Sequence, residues 1–144
     1  MVSFAKRAAM ISLFRKLRSK GVLIDGIGMQ GHWTLDHPSL SEVEESILAF
    51  EKLGVKLMIT EMDVSVLPRR NTGADIIASF KLSAGLDPYK KSLPDSVQGL
   101  LADRYARIFA LFHKHRNVIE GVTFWGINDR DSWRATKWIS PASG

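Results

Sequence analysis

The stretch Val55-Lys56-Leu57-Met58-Ile59-Thr60-Glu61-Met62-Asp63-Val64 decides how this chain of 144 residues is read. Val55 to Thr60 is a short apolar run that follows a glycine, and it reads as a buried strand ending at Glu61. A carboxylate at the end of such a strand needs a partner or a purpose. Just upstream, Ser39-Leu40-Ser41-Glu42 has the spacing of a capping box, which predicts a helix from there to about Leu53. Val43, Ile47, Phe50 and Leu53 would face inward, and Gly54 would close the last turn.

Further upstream, Val22 to Gln30 reads as another buried strand, with Gly31-His32-Trp33 as the loop beyond it. Residues 4–20 read as a helix, with Ala8, Ile11, Phe14 and Leu17 at near-helical spacing and Gly21 as its stop. Downstream, residues 65–94 read as irregular, with Pro68, Gly73, Pro88 and Pro94; a connection of that length is usually functional. Asp95 to His115 is an amphipathic helix with Val97, Leu101, Tyr105, Ile108 and Phe112 on one face. Val118 to Phe124 leads into a third strand that ends at Trp125. Strands thus alternate with helices, the pattern of a parallel sheet covered by helices. A doubly wound sheet and a (β/α)8 barrel both fit. No glycine-rich phosphate fingerprint follows a strand, which weakens the dinucleotide-binding option.

Composition sets the outer limits. Hydrophobic residues make up 45% and charged residues 24%, which is ordinary for one globular domain. No apolar run reaches the roughly 18 residues of a membrane span, so no membrane partner is expected. Met1 to Lys20 does not read as a signal peptide, because Lys6, Arg7, Arg15 and Lys16 interrupt its apolar residues. Cysteine is absent, which removes disulfides, thiolate nucleophiles and Cys-based zinc sites. The net charge of +5 raises nucleic acid as a partner. However, Lys6, Arg7, Arg15, Lys16, Arg18 and Lys20 spread along one predicted helix and fit its solvated face, so no nucleic-acid partner is expected.

The residues suited to chemistry gather at one end of the predicted sheet. Gln30 and His32 follow the first strand, Glu61 and Asp63 the second, and Trp125, Asn128, Asp129, Asp131 and Trp133 the third. In parallel α/β folds, sites lie at the carboxyl ends of strands. Residues two apart share a face of a strand, so Gln30 pairs with His32, and Glu61 with Asp63 if the strand extends that far. With the two strands adjacent, an imidazole could sit between two carboxylates, one of which fixes its tautomer. The plainer reading makes His32 and Asp63 satisfied core or loop residues. The four tryptophans, Trp33, Trp125, Trp133 and Trp138, could stack on sugar rings or fill the core. Position favours ligand contact for Trp125 and Trp133, and both readings stay open for Trp33 and Trp138.

Three segments carry a family resemblance. They are Asp25-Gly26-Ile27-Gly28-Met29-Gln30-Gly31-His32, Ile59-Thr60-Glu61-Met62-Asp63-Val64, and Val122 to Asp129 continuing through Asp131-Ser132-Trp133-Arg134. In order and spacing they resemble the late-strand motifs of family 10 glycoside hydrolases, and Leu86 to Arg104 resembles the family too. The resemblance implies the last three strands or so of a (β/α)8 TIM barrel and the activity of a retaining endo-β-1,4-xylanase acting on xylan or xylo-oligosaccharides without a cofactor or metal. It implies Glu61 as nucleophile, His32 hydrogen-bonded to Glu61, Asp63 supporting His32, and Gln30, Trp125 and Trp133 lining the substrate subsites. It runs to about Arg134, so residues 1–134 read as the C-terminal portion of the barrel and 135–144 as a tail off the pattern.

The departures matter equally. A retaining glycosidase uses two carboxyl groups roughly 5 Å apart. In this family the second, the acid/base, is a Glu at the end of the fourth strand, whereas this chain starts, by the resemblance, after the fifth. Glu42, Glu44, Glu45 and Glu51 belong to a predicted helix, and Glu120 precedes its strand. A whole barrel takes about 250 residues. The chain alone is therefore expected to be inactive. Its open sheet edges are expected to require the missing barrel part or self-association. The alternative is a non-catalytic fragment that binds xylo-oligosaccharides through Trp125 and Trp133.

Overall fold

The computed structural model describes residues 3–67, 88–89 and 92–128. Most of the predicted 65–94 connection lies outside them, as do Asp129, Asp131, Trp133, Trp138 and the tail after Arg134. The strand quoted first, β3 (Lys56–Ser65), is central. On one side it pairs in parallel with β1 (Gly26–Met29) and then β2 (His32–Thr34), two pieces of one strand interrupted at Gln30 and Gly31. On the other side it pairs in parallel with β4 (Ile119–Phe124).

Among the described residues, three helices pack on this sheet: α1 (Phe4–Arg18), α2 (Leu40–Glu51) and α3 (Asp95–Lys114). One core joins Phe14 of α1, Val43, Ile47 and Phe50 of α2, and Ile108, Leu111 and Phe112 of α3 to Met29, Trp33, Leu57, Ile59 and Met62 of the sheet. All three helices therefore cover the same face. A doubly wound sheet carries helices on both faces, whereas a barrel keeps them outside its strands. The architecture is a sector of an α/β barrel.

Local sequence accounts for most boundaries. The Ser39 hydroxyl accepts the Glu42 N–H at 3.2 Å, and the Glu42 carboxylate accepts the Ser39 N–H at 2.8 Å, so the capping box forms as read. The bond from the Ser39 N–H, then one of 2.9 Å from the Ser39 hydroxyl, holds the Glu42 carboxyl below its usual range. Gly54 takes a φ of +69°, which closes the turn after α2.

Three expectations need correction. The first strand does not begin at Val22: pairing starts when the Lys56 N–H reaches the Asp25 carbonyl, and Leu23, upstream of any partner strand, is 91% exposed. His32 and Trp33, read as loop, form β2, because β3 does not stop at Glu61 but runs on to Ser65 and offers them a partner. Arg7 is not on a solvated face. It is buried, with its guanidinium donating to Ser46 Oγ at 2.9 Å and to Glu45 at 3.0 Å, and so links α1 to α2. Arg18 makes a second link by donating to the Leu53 carbonyl at 2.9 Å, near the negative end of the α2 dipole.

Glu44 links α2 to α3. Its carboxylate accepts from Lys114 Nζ at 2.7 Å and lies 2.8 Å from His115 Nε2. The hydrogen bond from Lys114, then that from His115, holds this carboxyl below the ordinary glutamate value of 4.5. A carboxyl that is more acidic folded than unfolded stabilises the fold above its unfolded value and loses that contribution as pH falls toward the folded one. Stability of the chain should therefore drop as pH falls below 4.5, and Glu44→Gln should make the acid limb of a stability–pH curve shallower. Adjacent core and surface positions should also separate cleanly in urea denaturation. Ile47→Ala, at a fully buried site, should cost about 2–5 kcal/mol. Leu48→Ala, at an exposed one, should stay within about 0.5 kcal/mol.

Candidate active site

Strand alternation alone would bury Glu61. Leu57 and Ile59 point into the helix-side core, and Glu61 continues their odd-numbered series. The register shows why it escapes. From Met29 to His32 the chain takes three steps, while its partner β3 takes four, from Ile59 to Asp63. On the other side, Val122 to Phe124 is two steps against three from Ile59 to Met62. β3 therefore holds one more residue than either neighbour within Thr60–Met62. This is a bulge, a feature that re-aims side chains and is rare in parallel pairs. Beyond it the even-numbered Met62 is the buried residue, and Glu61 and Asp63 turn to the open face.

His32 reaches that face from β2, whose register sets it beside Asp63. His32 Nε2 lies 3.1 Å from Glu61 Oε2, and Nδ1 lies 3.1 Å from Asp63 Oδ2. The three side chains are 16%, 24% and 20% exposed respectively. An imidazole thus sits between two carboxylates. A neutral ring donates from one nitrogen only, and a doubly protonated ring donates from both. In either form the ring orients Glu61, and Asp63 orients the ring.

The backbone holds the same residues together. The Glu61 N–H donates to the Gln30 carbonyl at 2.8 Å and the Asp63 N–H to the Gly31 carbonyl at 3.3 Å. Gln30 itself is exposed. Gly31 has a φ of +89° and is buried, and a Cβ there would stand 2.9 Å from Ile59 Cγ2. Beyond β2, the Thr34 hydroxyl donates to Asp36 at 2.8 Å and accepts the His37 N–H at 3.1 Å. The bond from Thr34 is the main cause that holds the Asp36 carboxyl below its ordinary range. Buried Arg104 of α3 donates to the Pro38 carbonyl and anchors this turn, and burial lowers its pKa.

Of the residues read from sequence, the structure brings His32, Glu61 and Asp63 into one hydrogen-bonded chain. Gln30 joins through its backbone. Trp125, 48% exposed, follows β4 at the same carboxyl end, its N–H donating to the Met62 carbonyl at 3.0 Å. Trp33 belongs to the core, 3% exposed and packed on Phe112 with ring centroids 6.1 Å apart. Trp133 lies outside the described residues. Tyr105, read only as a core-facing residue, extends its hydroxyl to the Val64 N–H at 3.2 Å. The available signal was that a buried tyrosine hydroxyl needs a partner. Among the described residues no group of His, Asp or Glu is arranged to hold a metal ion, and no helix is long and apolar enough to cross a membrane.

The chain belongs to glycosyl hydrolase family 10, whose model matches residues 2–143. It is 37% identical over 131 residues to endo-1,4-beta-xylanase A of Xylanibacter ruminicola, covering 90% of this chain and 36% of that protein. It is 38% identical over 131 residues to an endo-1,4-beta-xylanase of Geobacillus stearothermophilus, covering 89% and 34%. A solved family 10 endoxylanase retrieved from a sugarcane soil metagenome superposes with a TM-score of 0.79 at 36% identity, covering 92% of this chain and 36% of that one. The chain thus spans about a third of the length of these relatives.

The crowding at Gly31 is testable against a second glycine of positive φ. Gly54→Ala, where no atom lies within 4 Å of the added carbon, should cost about 1–2 kcal/mol for its backbone alone. Gly31→Ala should cost a further 1–3 kcal/mol, roughly, from overpacking against Ile59. Urea denaturation of the two variants measures the difference, and equal costs would contradict the close packing behind His32.

Proposed function

We propose that this chain carries the nucleophile half of the active site of a retaining endo-β-1,4-xylanase. The observation that supports the reading is the 3.1 Å contact of His32 Nε2 with Glu61, backed by the 3.1 Å contact of Nδ1 with Asp63. In this reading a Glu61 oxygen attacks the anomeric carbon of a xylose unit, the bond to the leaving sugar oxygen breaks, and a glycosyl-enzyme forms that water then hydrolyses. His32 holds the attacking carboxylate in line, and Asp63 holds His32. Gln30, Trp125 and Trp133 line the sugar subsites, with the exposed indole of Trp125 offering a flat surface for a ring.

Departure of a sugar alkoxide needs a proton from a second carboxyl group roughly 5 Å from the nucleophile. Among the described residues, the remaining glutamates do not supply it. Glu42, Glu44, Glu45 and Glu51 belong to α2, on the helix side of the sheet. Glu120 lies 3.8 Å from Lys56, at the strand ends opposite the site. The chain by itself is therefore read as unable to hydrolyse xylan. Secretion or export of the whole enzyme fits a polymeric substrate.

A substrate whose leaving group needs no proton separates the two halves of this proposal. With a dinitrophenyl 2-fluoro-xylobioside, the chain should gain one fluoroxylobiosyl group on Glu61 by peptide mass spectrometry, and Glu61→Gln should gain none. Xylan itself should not be cut. An adduct on another carboxylate would overturn the role of Glu61, and xylan hydrolysis lost in Glu61→Gln would overturn the missing proton donor. The exposed Trp125 also suits a second reading, a xylo-oligosaccharide-binding fragment, which would show binding without any adduct.

A further inference from the structure

Tyr105 of α3 lies on the helix side of the sheet, and two of its contacts bear on the proposed site. Its hydroxyl accepts the Val64 N–H at 3.2 Å. Its ring packs on Phe124 with centroids 5.9 Å apart. Val64 follows Asp63, and Phe124 precedes Trp125. One side chain thus touches the neighbours of both the carboxylate that grips His32 and the exposed tryptophan.

The hydrogen-bond ladder explains the position of the hydroxyl. In parallel sheets, alternate residues of a strand turn their peptide groups toward the same neighbour. Met62 faces β4, where its carbonyl accepts the Trp125 N–H at 3.0 Å. Val64, two residues on, turns its N–H to the same side. β4 ends at Phe124, so the Tyr105 hydroxyl takes the bond that a further β4 carbonyl would have accepted. A half-buried strand N–H left without an acceptor would be costly. The hydroxyl lets β3 keep its course to Ser65 while Trp125 leaves the ladder.

We infer that Tyr105 is a positioning residue for this site. Its hydroxyl sets the backbone at Val64, which fixes the Asp63 carboxylate against His32, and His32 in turn against Glu61. The functional meaning of this inference rests on the proposed role of Glu61, whereas its effect on His32 does not.

Tyr105→Phe keeps the ring on Phe124 and removes only the hydroxyl. Two readouts on the full chain test it: the ring ¹⁵N signals of His32, assigned by their loss in His32→Gln, and covalent labelling by the dinitrophenyl 2-fluoro-xylobioside. In Tyr105→Phe the His32 signals should move. The saturated labelling rate should fall roughly 10- to 100-fold, with the half-saturating concentration unchanged. Leu111→Val, which trims the same helix at another core position, should leave both readouts as in the parent chain. Unmoved His32 signals in Tyr105→Phe would overturn the inference, as would equal movement in both variants. A parent chain that takes no label at Glu61 would overturn the nucleophile assignment instead, and the His32 signals would still decide the role of Tyr105.

Discussion

β3 pairs with every other strand among the described residues, and between Ile59 and Asp63 it carries one residue more than the stretch facing it on either side. That extra residue reconciles two demands that simple alternation sets against each other. Leu57, Ile59 and Met62 must all face the helices to close the core, and Glu61 must not, because a carboxylate held there without partners would be strongly unfavourable. With Thr60 and Glu61 both turned away from the helices, the apolar series resumes at Met62 and the carboxylates emerge on the open face. The neighbouring strand accommodates the bulge with its own break, at Gln30 and the positive-φ Gly31, so the two irregularities face each other across the ladder.

The carboxylate–imidazole–carboxylate chain is encoded by one strand–helix–strand unit. His32 is 29 residues from Glu61 and 31 from Asp63, and α2 fills the interval between them. The capping box at Ser39 starts that helix, its apolar face packs on β3, and Gly54 turns the chain back into the sheet. The helix side then stabilises what the open face uses. Arg7 and Arg18 tie α1 to α2 and its end, and Glu44 ties α2 to α3. This division of labour is general in α/β barrels, where packing lies between strands and helices and chemistry lies at the strands' carboxyl ends.

Family membership and the short span of the chain bear on the site together. The chain aligns with about a third of each xylanase relative, and its described residues contain a complete orienting chain for one carboxylate. A retaining mechanism needs two. On the proposed reading, the local unit would build the nucleophile side, and the acid/base side would belong to another unit of a barrel. This separation follows from the architecture, in which different strands each deliver one part of the site.

The alternation of apolar runs with capped amphipathic stretches was enough to read parallel strands packed with helices, because each signal is local and repeats at the period of its element. The Ser39 cap, the Gly54 turn and the inward residues Val43, Ile47 and Phe50 were legible for the same reason. So was the gathering of His32, Glu61, Asp63 and Trp125 at one end of the sheet, since strand direction alone puts them there. What the sequence could not supply was register. Whether Glu61 ends its strand or sits within it depends on which partner residues lie opposite, and those are set by chain segments roughly 30 and 60 residues away. Arg7 read as solvated and Tyr105 as plain core for a related reason: their partners, Ser46 and the Val64 N–H, lie 39 and 41 residues away. The sequence by itself determined the elements and the end of the sheet where the chemistry gathers; only the tertiary structure decided which face each side chain takes, because one inserted residue reverses the parity of everything after it.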